Sequence, residues 1–279
     1  MPAPPLLAFV HIEKAAGTSL IHILRRNYFP WYVDVRPLRP ESSGEFRPQD
    51  LLTYKKLNPW LRCIGGHSVK PCTGLEEVEP GIKYITVLRD PVKRYMSQYI
   101  YWRDRMGKSI SFEDYLELPK PRNFQVKKIA GVEDAGRAVE ILRERFLLVG
   151  LVEQFQEFLQ LLAYKLAPMT FDCDYKEQNV AKSSSESVSL LQKYNADIEA
   201  NNAIDMELYE SVKRELVPEY LSEFSSEFKG DITNCLDKSV EHRSAAVLGY
   251  ADYVLRKLYL EVLTGGIRRI RGMPASGSY

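Results

Sequence analysis

Short apolar runs alternate with amphipathic stretches over the first 170 residues. Leu6-Leu7-Ala8-Phe9-Val10-His11-Ile12 is continuous enough for a buried parallel strand. It breaks at Glu13-Lys14-Ala15-Ala16-Gly17, after which Thr18-Ser19 opens a helical pattern with Leu20, Ile21 and Leu24 on one face. The proline-, serine- and glycine-rich stretch from Pro37 to Pro48 predicts a loop, and Leu61 to Gly66 a second short strand ending at Gly65-Gly66-His67. Tyr84-Ile85-Thr86-Val87-Leu88 predicts a β-branched strand stopped by Arg89-Asp90-Pro91, and Pro91 suits the first turn of a helix reaching about Arg105. Ser111 with Asp114 resembles a capping box. Phe146 to Leu151 predicts another strand, followed by an amphipathic helix from Glu153 to Leu166. From Ser183 to Val262 the pattern is mostly helical, with a polar break near Gly230.

Strands alternating with helices predict an α/β fold, a central parallel sheet flanked by helices on both faces with a helical C-terminal part. A single domain spans 1–279: an α/β core over 1–160, a mostly helical remainder over 161–265, and a basic, flexible tail over 266–279. No internal repeat interrupts it.

Composition narrows the function by exclusion. The chain is 45% hydrophobic and 27% charged, which is ordinary for a globular protein. Its 38 basic and 37 acidic residues nearly cancel, so no global field draws it to nucleic acid or a membrane, and an anion site must be built locally. Four cysteines are too few for a disulfide scaffold. Cys63 and Cys72 would bridge only in an oxidising compartment, and Cys63, His67 and Cys72 match no zinc spacing. No apolar run reaches the roughly 18 residues of a membrane span. The chain reads as cytoplasmic, unless it was trimmed from a membrane-anchored parent.

Two units carry candidate anion chemistry. In Phe9 to Leu20, a helix N-terminus offers backbone N–H groups and partial positive charge. Gly17 would let an anion approach the backbone, Thr18 and Ser19 add hydroxyls, and Lys14 adds a full charge. Alone, this unit fits either a phosphate-type loop or an ordinary strand-to-helix turn. It is not the nucleotide-triphosphatase loop, because its lysine precedes the glycine. In Ile85 to Arg103, Arg89 stands at a strand end, where open α/β sheets bind ligands, with Ser97 two turns along the next helix. An arginine fork plus a hydroxyl can receive a terminal phosphate, though Arg89 could equally pair with a carboxylate while Ser97 packs.

Taken together and in this order, the two units resemble the sulfotransferase superfamily, in particular the carbohydrate sulfotransferases of the heparan sulfate 2-O-sulfotransferase type. Weaker pieces of the similarity are Asn123-Phe124-Gln125, Val149-Gly150-Leu151 with Glu153, Asn179-Val180, and Asn202, Asp205, Leu208 and Tyr209. The resemblance implies a P-loop-like nucleotide-binding core. It also implies a donor co-substrate, 3′-phosphoadenosine-5′-phosphosulfate (PAPS), released as 3′-phosphoadenosine-5′-phosphate, with no metal. Lys14, Ala15, Ala16, Gly17, Thr18 and Ser19 would hold the 5′-phosphosulfate, and Arg89 and Ser97 the 3′-phosphate. Lys182 in its serine-rich segment would reach over the nucleotide, unless that segment is a plain solvated loop. The acceptor would be a hydroxyl on a carbohydrate, glycolipid or small metabolite. Glu13 departs from the family, whose loop has proline there; a carboxylate beside a polyanion is repulsive unless it points away or pairs with a lysine.

Such a reaction needs a base for the acceptor hydroxyl and a cation for the leaving phosphate. Lys14 suits the second task. Of four histidines, His11 and His22 read as structural and His242 as a surface residue. His67 follows Gly65-Gly66 at a strand end and is the candidate base, a role the resemblance also implies, although the family's companion histidine is replaced by Gly65. Glu153, which also follows a strand, is the second candidate base, though it reads more as a residue that orients a basic partner. Trp31, Trp60 and Trp102 read as core. The rivals are a non-catalytic nucleotide-binding module and a magnesium-dependent kinase, the latter disfavoured by the position of the lysine.

Overall fold

In the computed structural model, side chains of β1 (Leu7–Val10) alternate across a sheet that is covered on both sides, which is why the whole strand is apolar. The structure describes residues 5–174, 185–227, 254 and 257–274. The other strands are β2 (Tyr32–Asp34), β3 (Cys63–Gly66), β4 (Lys83–Leu88) and β5 (Phe146–Leu151). They lie in the order β2-β3-β1-β4-β5, with every pairing parallel. The helices are α1 (Gly17–Tyr28), α2 (Pro48–Leu57), α3 (Pro91–Ile100), α4 (Phe112–Glu117), α5 (Phe124–Ala130) and α6 (Ala135–Arg145). They continue with α7 (Phe155–Lys165), α8 (Ser185–Asn201), α9 (Ala203–Ser211), α10 (Val217–Glu227) and α11 (Gly265–Ile270).

Leu7 and Phe9 face the layer built by α1 and α7, while Ala8 and Val10 face α2, α5, α6 and α9. The parallel α/β architecture therefore matches the sequence pattern. Pro91 opens α3, where the Asp90 carboxylate accepts from the Lys93 N–H at 2.9 Å. Ser111 caps α4 through the Asp114 N–H at 3.0 Å. A second, aromatic core of Tyr95, Tyr99, Phe112 and Tyr115 takes Ile198 from α8 and so fastens the later helices onto α3.

Three details differ from expectation. The edge strand β2 is too short at three residues to show a period. A helix over Gly265–Ile270 falls where the sequence pattern offered none, and within it Arg268 is buried and donates to the carbonyls of Pro37 and Pro274. Trp31 and Trp60 are exposed rather than core. Cys63 and Cys72 are free thiols. Among the described residues no helix is long and apolar enough to cross a membrane.

Helices α5 and α9 cap each other. The buried Asp205 carboxylate accepts from the N–H groups of Gln125 (3.0 Å) and Val126 (2.8 Å), and the Asn123 side-chain oxygen accepts from Ile204 (3.1 Å) and Asp205 (3.2 Å). Each side chain satisfies first-turn donors that its partner helix leaves open. Asp205→Ala is expected to destabilise the fold by roughly 2–6 kcal/mol, since each of the two abandoned buried N–H groups costs about 1–3 kcal/mol. Urea unfolding measures this, and a loss well under 1 kcal/mol would show the caps to be dispensable.

Candidate active site

The strand order places a crevice-forming point between β1 and β4. The chain leaves β1 toward the β2 edge and leaves β4 toward the β5 edge, and ligands of open α/β sheets bind where neighbouring strands diverge in this way. The Lys14 loop follows β1 and Arg89 follows β4. The two meet directly: the Arg89 guanidinium donates from Nη1 to the Lys14 carbonyl at 2.9 Å.

The loop is shaped for N–H presentation. Lys14 (φ 70°) and Ala16 (φ 55°) both take left-handed backbone conformations, and Ala16 is the N-cap of α1. No side chain caps this helix start and its first turn carries no acidic residue. A left-handed residue followed by a helical one turns successive N–H groups to one side, an arrangement that receives anions. Gly17 is obligatory for a reason other than anion approach. A β-carbon there would lie 1.9 Å from Nε2 of His11, whose ring is held between Phe9 and His67. Thr18 is exposed and Ser19 is buried.

The Lys14 ammonium lies 4.4 Å above the Tyr101 ring, on a π-helical turn (Tyr101–Arg105) that continues α3. Burial lowers its pKa, and the nearby charges of Arg89 and Arg105 lower it further. Arg89 is held from behind by Gln125, which accepts the Arg89 N–H (3.0 Å) and donates to its carbonyl (2.8 Å). Asp205, by capping α5 at Gln125, supports this clamp. Glu153 accepts from the Tyr209 hydroxyl at 3.0 Å and lies 3.9 Å from the Lys93 ammonium. Three of the four weak sequence pieces, those of Gln125, Glu153 and Asp205 with Tyr209, are thus bonded to Arg89 or to one another. Ser97 is half-buried in the middle of α3. Lys182, Asn179, Val180 and His242 lie outside the described residues.

His67 leaves β3 after Gly66, where any side chain would press to 2.7 Å from the Val35 carbonyl. Its ring stacks on His11 with centroids 4.0 Å apart, and its Nδ1 lies 3.3 Å from the Glu13 carboxylate. The buried Lys128 donates its ammonium to the His67 carbonyl and lies 4.0 Å from the other Glu13 oxygen. Burial would raise the Glu13 pKa, yet His67 and Lys128 outweigh it and bring the carboxyl to about 2. The Glu13 carboxylate therefore has two partners of its own beside the Lys14 loop. Burial, with His67 beside it, drives His11 well below the ordinary histidine range, so this ring is neutral. The sequence pattern did not single out Lys128, Tyr101 or Arg94, which is fully buried with its guanidinium over Phe124 and a bond to the Pro121 carbonyl at 2.8 Å.

These elements define the class of the chain, a parallel α/β protein whose Lys14 loop and Arg89 share one strand-end site. No protein-family model and no curated protein matches it. Among solved structures it is similar to a sulfotransferase from Alicyclobacillus acidocaldarius, at 18% identity over 74% of this chain and 96% of that chain, with a TM-score of 0.43.

Proposed function

We propose that the chain is a sulfotransferase that moves a sulfuryl group from PAPS to a hydroxyl of a carbohydrate, glycolipid or small metabolite. The single observation that carries this proposal is the Arg89 guanidinium bonded to the Lys14 carbonyl, which puts the two candidate anion units at one sheet end. A doubly phosphorylated nucleotide needs two cationic grips a short distance apart, and this pairing supplies them.

In this scheme Lys14 and the first-turn N–H groups of Gly17, Thr18 and Ser19 hold the 5′-phosphosulfate, and Arg89 with Ser97 holds the 3′-phosphate. His67 takes the proton of the acceptor hydroxyl through Nε2 as the acceptor oxygen bonds to sulfur. The bond from sulfur to the bridging oxygen breaks, and its electron pair goes to the 5′-phosphate, where Lys14 stabilises the new charge. The products are a sulfate ester and 3′-phosphoadenosine-5′-phosphate, and His67 returns its proton to water.

A transfer assay with PAPS labelled in its sulfuryl group, run across sugars, glycolipids and phenols, tests this function. Labelled ester from any acceptor supports it, whereas nucleotide binding without transfer would reassign the chain to a binding module. Arg89→Ala is expected to raise the donor KM about 10- to 100-fold with little change in kcat, from the roughly 1.5–3 kcal/mol of a charged hydrogen bond. An unchanged donor KM would remove Arg89 from the site.

A further inference from the structure

We propose that Glu13 is a positioning residue that holds His67 with its proton on Nδ1 and leaves Nε2 as the atom that accepts the acceptor's proton. This rests on the sulfotransferase reading only for the identity of the reaction, since the side-chain pairing stands on its own geometry. Glu13 Oε1 lies 3.3 Å from Nδ1 of His67, and the Lys128 ammonium lies 4.0 Å from Oε2, so an imidazole and an ammonium flank the carboxylate. Lys128 also donates to the His67 main-chain carbonyl, which ties backbone and ring to the same cation. On its flat side the ring stacks on His11.

Neutral imidazole carries one N–H, and its position is set by whichever nitrogen finds an acceptor. A carboxylate beside Nδ1 fixes that tautomer and stabilises the imidazolium formed when Nε2 takes a proton. Carboxylate–histidine pairs in hydrolytic triads do this work. Here the carboxylate comes from the donor loop itself, one residue before Lys14, so the loop that would grip the donor also orients the base for the acceptor. The charged and titratable groups around the pair are His11 on β1, Lys14 in the loop and Lys128 on α5. Burial pushes the His11 pKa down, and Lys128 donates to the His67 carbonyl while facing the Glu13 carboxylate.

The test has two arms. In histidine-¹⁵N-labelled full-length protein, with the His67 resonances assigned by His67→Asn, the neutral ring is expected to show a protonated Nδ1. A protonated Nε2 overturns the inference whether or not any acceptor is turned over. In the kinetic arm, Glu13→Gln removes the charge at nearly constant shape. It is expected to lower kcat about 10²- to 10⁴-fold and to leave the affinity for 3′-phosphoadenosine-5′-phosphate equal or higher. Normal kcat overturns the inference, and so does a kcat loss matched by an equal loss of nucleotide affinity, which would mark Glu13 as merely structural. If the wild-type protein transfers sulfate to nothing, the proposed function fails, while the spectroscopic arm still decides the pairing.

Discussion

His67→Ala is expected to lower kcat about 10²- to 10⁴-fold while 3′-phosphoadenosine-5′-phosphate still binds with wild-type affinity. The imidazole is placed to handle the acceptor's proton and makes no part of the proposed nucleotide grip, so its loss belongs in turnover. The variant should remain folded. Lys128 bonds to the main-chain carbonyl of residue 67, which alanine keeps, and the lost ring stack on His11 costs only about 0.5–1.5 kcal/mol beyond area burial. Steady-state kinetics beside titration calorimetry separates the two effects. Near-normal turnover would show that another group takes the proton; equal losses of binding and turnover would show that the site had collapsed.

Lys14→Ala is expected to lower kcat about 10²- to 10³-fold, the range found when one preorganised donor to a developing oxyanion is removed. The lysine acts on charge that appears only as the bond to sulfur breaks, which is why kcat falls more than donor affinity. Its titration gives a second signature. Burial, Arg89 and Arg105 lower its pKa, so the free protein loses this charge at a lower pH than an ordinary lysine would. The profile of kcat/KM for the donor should therefore decline on its alkaline side early. Bound phosphates favour the ammonium, so the alkaline limb of kcat should lie at higher pH than that of kcat/KM. Lys14→Arg keeps its proton throughout and should abolish both alkaline limbs while retaining part of the turnover. Wild-type kcat in Lys14→Ala would end the assignment, leaving at most a binding role for the loop.

The candidate site was partly legible before any coordinates. Lys14, Gly17 and Arg89 stand at boundaries between an apolar run and a helical pattern, and such boundaries in a parallel α/β chain fall at the strand ends where ligands bind. His67 was legible for the same reason, at the end of β3. Glu13 was visible only as an anomaly, a carboxylate in a loop proposed to hold an anion. Its explanation lies in His67 and Lys128, respectively 54 and 115 positions away along the chain. Gln125 and Asp205 were noticed as weak pieces without a task, because the bond joining them links segments 80 residues apart. The helix at Gly265–Ile270 was not legible, because basic, small-residue composition says nothing of the carbonyls of Pro37 and Leu38, which receive Arg268 and Arg271.

By itself the order of apolar and polar residues determined the parallel sheet, the helix starts at Pro91 and Ser111, and the two loops that leave β1 and β4. These are local matters of side-chain period, backbone preference and capping. Tertiary structure alone decided which loops meet, which carboxylate faces which imidazole, and which helix caps which. Such pairings join residues that only the closed fold brings within a few ångströms, and burial then sets how strongly each charge is felt.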